Sequence, residues 1–104
     1  MVFNTGTALL DGVVLAVVAK NEEGTYGYKL TQEVRALLDV SESALYPVLR
    51  RLQKDGALMT YDEQIGGRNR RYYRITPAGE DLLAKYREAW KAYALKISRI
   101  FEIE

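Results

Sequence analysis

The side chains best suited to bind a ligand in this sequence are arginines that follow two adjacent glycines. The run GGRNRRYYR, residues 66–74, has two glycines and then four arginines. Adjacent glycines between β-favouring segments predict a tight hairpin. Guanidinium groups bind phosphate oxygens through planar forks of donors, so such a tip suits a nucleic-acid backbone. A nucleotide-binding loop would instead need Gly-Lys-Ser/Thr leading into a helix, and this run continues as a strand.

The composition argues against catalytic and metal-binding chemistry. The 104 residues include no cysteine and no histidine, which removes thiolate zinc sites and the commonest general base. Asp62 and Glu63 are neighbours on a predicted strand and point to opposite faces, which favours two solvated acids over a metal site. We therefore expect no enzyme activity, no cofactor and no metal.

Charge is unevenly distributed along the chain. The net charge is +1, but residues 46–74 contain seven basic and three acidic residues, a local charge of +4. The rest of the chain has eight basic and eleven acidic residues. A local positive potential attracts a polyanion even when the whole protein is nearly neutral.

Hydrophobic periodicity predicts the elements that position these arginines. Apolar residues at helical spacing predict a first helix around residues 9–18 and a second over residues 26–38. Ser41 or Ser43 can cap a third helix, which Asp55-Gly56 ends. Period-two alternation in residues 58–63 and 72–75 predicts two strands, and Thr76-Pro77 starts a fourth helix of ~27 residues that extends to the chain end.

These elements predict an α+β, mostly helical fold. We expect a winged helix-turn-helix with a two-stranded wing in residues 1–76 and one long helix in residues 77–104. The apolar stretch at residues 13–19 is far shorter than the ~20 residues of a membrane span, so we expect a cytoplasmic protein that does not enter a membrane.

The third helix and the hairpin are predicted to bind the same DNA duplex. If Leu45, Leu49 and Leu52 face the core, the opposite face presents Ser43, Tyr46, Pro47, Arg50 and Lys54. Such a face suits a major groove, and a cationic wing suits the adjacent backbone or minor groove. The alternative for the helix alone is a solvated surface, where Arg50, Arg51 and Lys54 contact only water.

Three stretches, TYGYKLTQEV, SALYPVLRRLQKDG and GGRNRRYYRITPAG, resemble the PadR family of bacterial transcriptional regulators. The resemblance covers roughly Leu9 to the chain end, and the short chain with one terminal helix resembles the shorter subfamily. It implies a homodimeric repressor with a DNA-reading third helix and a C-terminal dimerisation helix. Tyr28 is expected either to reach the DNA backbone or to pack between helices. The candidate DNA-binding residues are Tyr28, Ser43, Tyr46, Pro47, Arg50, Lys54, Arg68, Asn69, Arg70 and Arg71.

The terminal helix carries an apolar seam at spacings of three and four residues, which favours a homodimer. The candidate dimerisation residues are Leu83, with Leu82 as an alternative, and Tyr86, Trp90, Tyr93, Ile97 and Ile100, with Phe101 as an alternative. The resemblance also suggests a planar aromatic effector that stacks on Trp90 with Tyr86 and Tyr93. Alternatively, Trp90 is an interface anchor.

Double-stranded DNA is therefore the expected partner. The competing interpretation is a winged-helix module that docks on RNA or on another protein through the same basic patch. Duplex and single-stranded competitors distinguish the two.

Overall fold

The computed structural model describes residues 8–103. Residues 1–7 and Glu104, which belong to the two predicted domains, lie outside the described residues. The helices are α1 (Ala8–Lys20), α2 (Gly27–Leu37), α3 (Glu42–Lys54) and α4 (Pro77–Ile100), and the strands are β1 (Thr25–Tyr26), β2 (Leu58–Ile65) and β3 (Arg68–Ile75). The predicted α+β, mostly helical winged-helix fold with a long C-terminal helix is confirmed.

The sheet has three antiparallel strands in the order β1-β3-β2, one strand more than predicted. Tyr26, which was assigned to the second helix, lies in the short strand β1 and pairs with Tyr72 of β3. The helical spacing of Tyr26 to Leu30 and Val34 carries no information about this partner, which is 46 residues away in the chain.

Helix α1 is the centre of the core. Its residues Val14, Leu15, Val17 and Val18 are buried, and the helix packs against α2, α3, α4 and β3. A helix that is apolar on nearly all sides is expected where other elements surround it. The helix-turn-helix pair is thereby held on one side of α1 and the terminal helix on another.

Helices α2 and α3 are joined by a short turn and by polar contacts across it. Ser41, and not Ser43, is the N-cap of α3, because its hydroxyl accepts from the amide of Ala44 at 3.2 Å. Glu42 accepts from the Gln32 amide at 3.1 Å and forms an ion pair with Arg35 at 3.4 Å. These contacts tie the start of α3 to the middle of α2.

The hairpin formed by β2 and β3 comes after α3 in the chain and is followed by α4. Strands β2 and β3 have eight residues each and reverse at Gly66-Gly67, whose φ angles of 60° and 77° are those of a two-residue hairpin turn. Thr76 caps α4 as predicted, since its hydroxyl accepts from the amide of Gly79 at 3.0 Å. The helix has 24 residues and ends at Ile100, before the chain end.

Candidate nucleic-acid interface

Helix α3 presents one polar face to solvent and one apolar face to the core. Leu45, Val48, Leu49 and Leu52 are buried. The residues predicted to face DNA are all exposed: Ser43, Tyr46, Pro47, Arg50 and Lys54. The predicted orientation of the helix is therefore the one observed.

Pro47 lies inside α3, as its sixth residue, rather than at its start. Since proline has no N–H group, it cannot donate to the carbonyl of Ser43, four residues earlier. Pro47 and Ser43 are both exposed on the candidate recognition face. The helical hydrogen bond between these two residues is therefore missing on this face.

The wing carries its arginines in two distinct environments. Arg68 and Arg71 are exposed, and the Arg71 guanidinium forms an ion pair with Asp62 of β2 at 3.6 Å. Arg70 is half-buried, with its guanidinium carbon 4.4 Å from the centroid of the Tyr26 ring. Asp62 therefore offsets part of the charge of Arg71, while Arg70 is held by an aromatic face.

Arg70 contacts the first of three tyrosine rings that lie in a row. The rings of Tyr26 and Tyr72 meet edge to face with centroids 5.6 Å apart, and Tyr72 stacks on Tyr61 at 5.3 Å. The Tyr61 hydroxyl donates to the carbonyl of Glu23 at 2.6 Å, which anchors the row to the chain before β1. The row belongs to three different strands and could not be assembled from local spacing alone.

A groove of about 640 Å³ lies between the wing, the start of α2 and the start of α3. Six of the ten candidate DNA-binding residues line it: Tyr28, Tyr46, Arg68, Asn69, Arg70 and Arg71. Tyr26, Gly27 and Tyr73 complete the lining. The other four candidates, Ser43, Pro47, Arg50 and Lys54, lie on the exposed side of α3 outside this lining.

Tyr28 and Tyr73 have different environments in the groove. Tyr28 is 63% exposed, which excludes its packing between helices. Tyr73 is buried, and burial raises the pKa of its hydroxyl further above physiological pH. The groove is thus cationic and aromatic, a combination that suits phosphate and sugar contacts.

Arg51 does not belong to this surface. Its side chain is half-buried and forms an ion pair with Asp11 of α1. The alternative in which Arg50, Arg51 and Lys54 contact only water is therefore wrong for Arg51. The partner is 40 residues earlier in the chain, so helical periodicity could not identify it.

The candidate dimerisation residues also separate into different environments. Leu83 is buried in the core of the protomer, and Tyr86 is half-buried against Gly12 of α1. Tyr93 and Ile97 are half-buried, whereas Trp90 is 47% and Ile100 is 72% exposed. Leu83 therefore packs inside its own chain, because α1 covers the first part of the seam.

A second cavity of about 290 Å³ lies between α1 and α4. Two of the candidate effector residues, Tyr86 and Trp90, line it, whereas Tyr93 does not. The Tyr93 ring is 6.3 Å from that of Trp90. The other lining residues are apolar except for Arg87: Leu9, Gly12, Val13, Ala16 and Leu83.

Sequence reasoning missed two residues of functional interest. Tyr26 supports Arg70, and its position before a glycine in TYGY was the available signal for a strand rather than a helix. Asp11, an acid within an apolar helix, is buried, and its isolation among apolar residues was the available signal for a buried partner. Within residues 8–103, no helix is long and apolar enough to span a membrane.

Comparison with known proteins gives consistent matches. Residues 14–85 match the family described as "Transcriptional regulator PadR-like family". The transcriptional regulator Rv3488 of Mycobacterium tuberculosis is 41% identical over 85 residues, which cover 81% of this chain and 78% of that protein. The crystal structure of smu.1704 from Streptococcus mutans superimposes with a TM-score of 0.82 at 35% identity and covers 98% of this chain and 94% of that chain. A PadR-like transcriptional regulator from Bacillus cereus superimposes with a TM-score of 0.81 at 26% identity, covering 96% and 98%.

Proposed function

Because this chain belongs to the PadR-like family of transcriptional regulators, we propose that it is a cytoplasmic repressor that binds a palindromic operator as a homodimer. Family members are DNA-binding regulators rather than enzymes. In this proposal residues 1–76 bind the DNA and residues 77–104 pair two protomers. Two-fold symmetry then requires two half-sites about one helical turn, roughly 34 Å, apart.

The observation that carries the proposal is the convergence of α3 and the wing on one groove. Tyr46 from α3 and Arg70 and Arg71 from β3 line it together. With α3 in the major groove, its exposed first turns approach base edges, while the wing arginines reach the flanking phosphates. The same arrangement gives Arg50 and Lys54 phosphate contacts further along α3.

The test separates phosphate binding from sequence reading. An operator is first selected by the protein from random duplex DNA, and its affinity is then measured by anisotropy across a salt series. We expect Arg70→Ala/Arg71→Ala to weaken binding to all duplexes alike and to flatten the salt slope by up to about two units per protomer. The matched control, Lys20→Ala/Lys91→Ala, removes two exposed lysines away from the wing and is expected to change the slope little.

Two outcomes would contradict the proposal. An unchanged slope in the arginine double variant would remove the wing from the phosphate contacts. If single-stranded DNA or RNA of the same sequence competes better than the duplex, the winged helix serves another nucleic acid.

We also propose that a planar aromatic molecule binds beside Trp90 and releases the protein from DNA. The apolar lining of the α1–α4 cavity and the partial exposure of Trp90 support this site.

Since the chain has a single tryptophan, ethidium titrated in the absence of DNA should quench its fluorescence saturably. Trp90→Ala should weaken dye binding, which is measured by the fluorescence of the dye, while the protein stays dimeric. Leu95→Ala is the control on the same helix. Absence of saturable quenching, together with a dissociated Trp90→Ala variant, would make Trp90 a packing anchor.

A further inference from the structure

A buried carboxylate connects α3 to the rest of the molecule. Asp11 of α1 is 8% exposed, and one of its oxygens accepts from the guanidinium of Arg51. Removing a carboxylate from water is unfavourable unless it is paired and hydrogen-bonded. Arg51 meets this requirement from the last turn of α3, next to the exposed Arg50.

The second oxygen of the same carboxylate binds α4. The Tyr86 hydroxyl donates to it at 3.2 Å. A Cβ added to Gly12 would lie 3.4 Å from the Cβ and Cγ of Tyr86, so the base of this side chain packs directly on α1. Burial, followed by the nearby charge of Asp11, raises the pKa of Tyr86 to about 12, and its hydroxyl therefore remains a donor. One carboxylate thus joins α1, α3 and α4.

Stability alone is a weak reason for such a contact. A buried ion pair contributes little more than well-packed apolar side chains of the same size, and often less. A guanidinium–carboxylate contact is directional, however, so it adds a restraint on orientation to the apolar packing of α3. The contact to Asp11 therefore restricts the rotation of α3, and with it the direction in which Ser43, Tyr46 and Arg50 point.

We propose that Asp11 is a positioning residue for DNA recognition, which sets the orientation of α3 through Arg51 and links that orientation to α4 through Tyr86. The proposal rests on the proposed function, since it assigns α3 to the reading of bases. Tyr86 also lines the α1–α4 cavity, so the cavity and α3 lie at opposite ends of one hydrogen-bonded chain.

The experiment compares sequence discrimination with phosphate binding. The full-length dimer is titrated with the selected operator and with a scrambled duplex of equal length, across a salt series. Asp11→Asn keeps the shape of the side chain and removes its charge. We expect its ratio of operator to scrambled affinity to fall by about tenfold, an effect comparable to one mismatched base pair, while the salt slope stays unchanged.

Tyr86→Phe keeps the packing of the ring and removes only the hydroxyl, so it tests the link to α4 in a protein that folds. We expect Tyr86→Phe to lower the operator-to-scrambled affinity ratio by less than Asp11→Asn does. The double variant Asp11→Asn/Tyr86→Phe should match Asp11→Asn alone, because both changes act through one contact. Asn21→Ala is the control, since it also removes one partly buried side-chain hydrogen bond, to the carbonyl of Val17, at the end of α1 and outside the candidate DNA-binding residues.

The outcomes are separable. If Tyr86→Phe or a folded Asp11→Asn keeps the wild-type affinity ratio within twofold and only lowers the melting temperature, the contact is structural and the inference is wrong. If Asn21→Ala lowers the ratio as much as Tyr86→Phe does, loss of any partly buried side-chain hydrogen bond suffices and the inference also fails. A wild-type protein that does not discriminate between operator and scrambled DNA would overturn the proposed function itself, and the inference with it.

Discussion

Arg70 differs from the other wing arginines because its guanidinium lies over an aromatic ring. The 4.4 Å separation from the Tyr26 centroid lies within the range of a cation–π contact. A guanidinium stacked in this way still has its edge donors available for a phosphate, and less side-chain freedom is lost when it binds. With Arg70 as the proposed phosphate contact, we expect Tyr26 to assist DNA binding through the placement of Arg70.

This role predicts a difference between two substitutions at one position. Tyr26→Leu removes the aromatic face, and the lost cation–π contact of about 0.5–1 kcal/mol corresponds to about two- to fivefold weaker operator binding. Tyr26→Phe keeps the ring and should bind nearly as the wild type does. The measurement is operator affinity by anisotropy at low salt. Equal affinities of the two variants would show that the ring does not assist Arg70.

At the scale of elements, α4 is positioned by a close backbone contact at its start. Gly79 is buried in the first turn of α4, and a Cβ added there would lie 2.1 Å from the carbonyl oxygen of Ala57. The Thr76 hydroxyl donates to the neighbouring carbonyl of Gly56 at 2.6 Å. The connection between α3 and β2 therefore lies directly against the start of α4, with no space for a side chain at Gly79.

Gly79→Ala should consequently destabilise the protein even though alanine favours a helix by about 1 kcal/mol over glycine. The carbonyl of Ala57 belongs to the backbone and cannot rotate away, so we expect a loss of about 1–3 kcal/mol in the free energy of unfolding by urea, typical of overpacking. Gly12→Ala, another helical glycine, is the control. Its added Cβ would approach Tyr86 only to 3.4 Å, and the loss should be smaller. A Gly79→Ala protein as stable as the wild type would show that α4 can move off Ala57.

At the scale of the whole molecule, the protomer is elongated. Its radius of gyration is 15.0 Å and its extents are 54 × 27 × 20 Å, whereas a compact chain of this length has a radius of about 13 Å. The last turn of α4 and the residues after it expose Ile100, Phe101 and Ile103, each by more than 60%. Apolar side chains clustered on the surface of one protomer are typical of a surface that a partner covers.

Ile100→Asp tests this surface without disturbing the protomer. Because Ile100 is 72% exposed in the single chain, a charge there should leave the monomer folded, whereas it would be unfavourable inside a dimer interface. Sedimentation should show dissociation, and operator affinity should fall with it. Leu95 is 54% exposed on the same helix and lies about 140° around its axis from Ile100. Leu95→Asp should therefore remain dimeric. If Leu95→Asp instead dissociates and Ile100→Asp stays dimeric, the interface lies on the other side of α4.

The sequence by itself determined the elements whose signals are local. Thr76-Pro77 at the start of α4, Gly66-Gly67 at the hairpin tip and the buried leucines of α3 were predicted correctly. Caps, tight turns and helical faces depend on residues within about four positions of one another. The exposed face of α3 and the cationic wing could be predicted for the same reason.

Only the tertiary structure decided which element covers each face and which partner each charge has. Periodicity excludes Arg51 from the exposed face that carries Arg50, but it could not identify the partner of Arg51, Asp11, which lies in another helix. Leu83 continues the apolar seam of α4 but is buried against its own chain, and Tyr26 pairs with β3 instead of continuing α2. Periodicity shows which face of an element carries an apolar or charged side chain. The partner of that side chain depends on how segments far apart in the chain pack together, because the fold is selected by contacts summed over all elements.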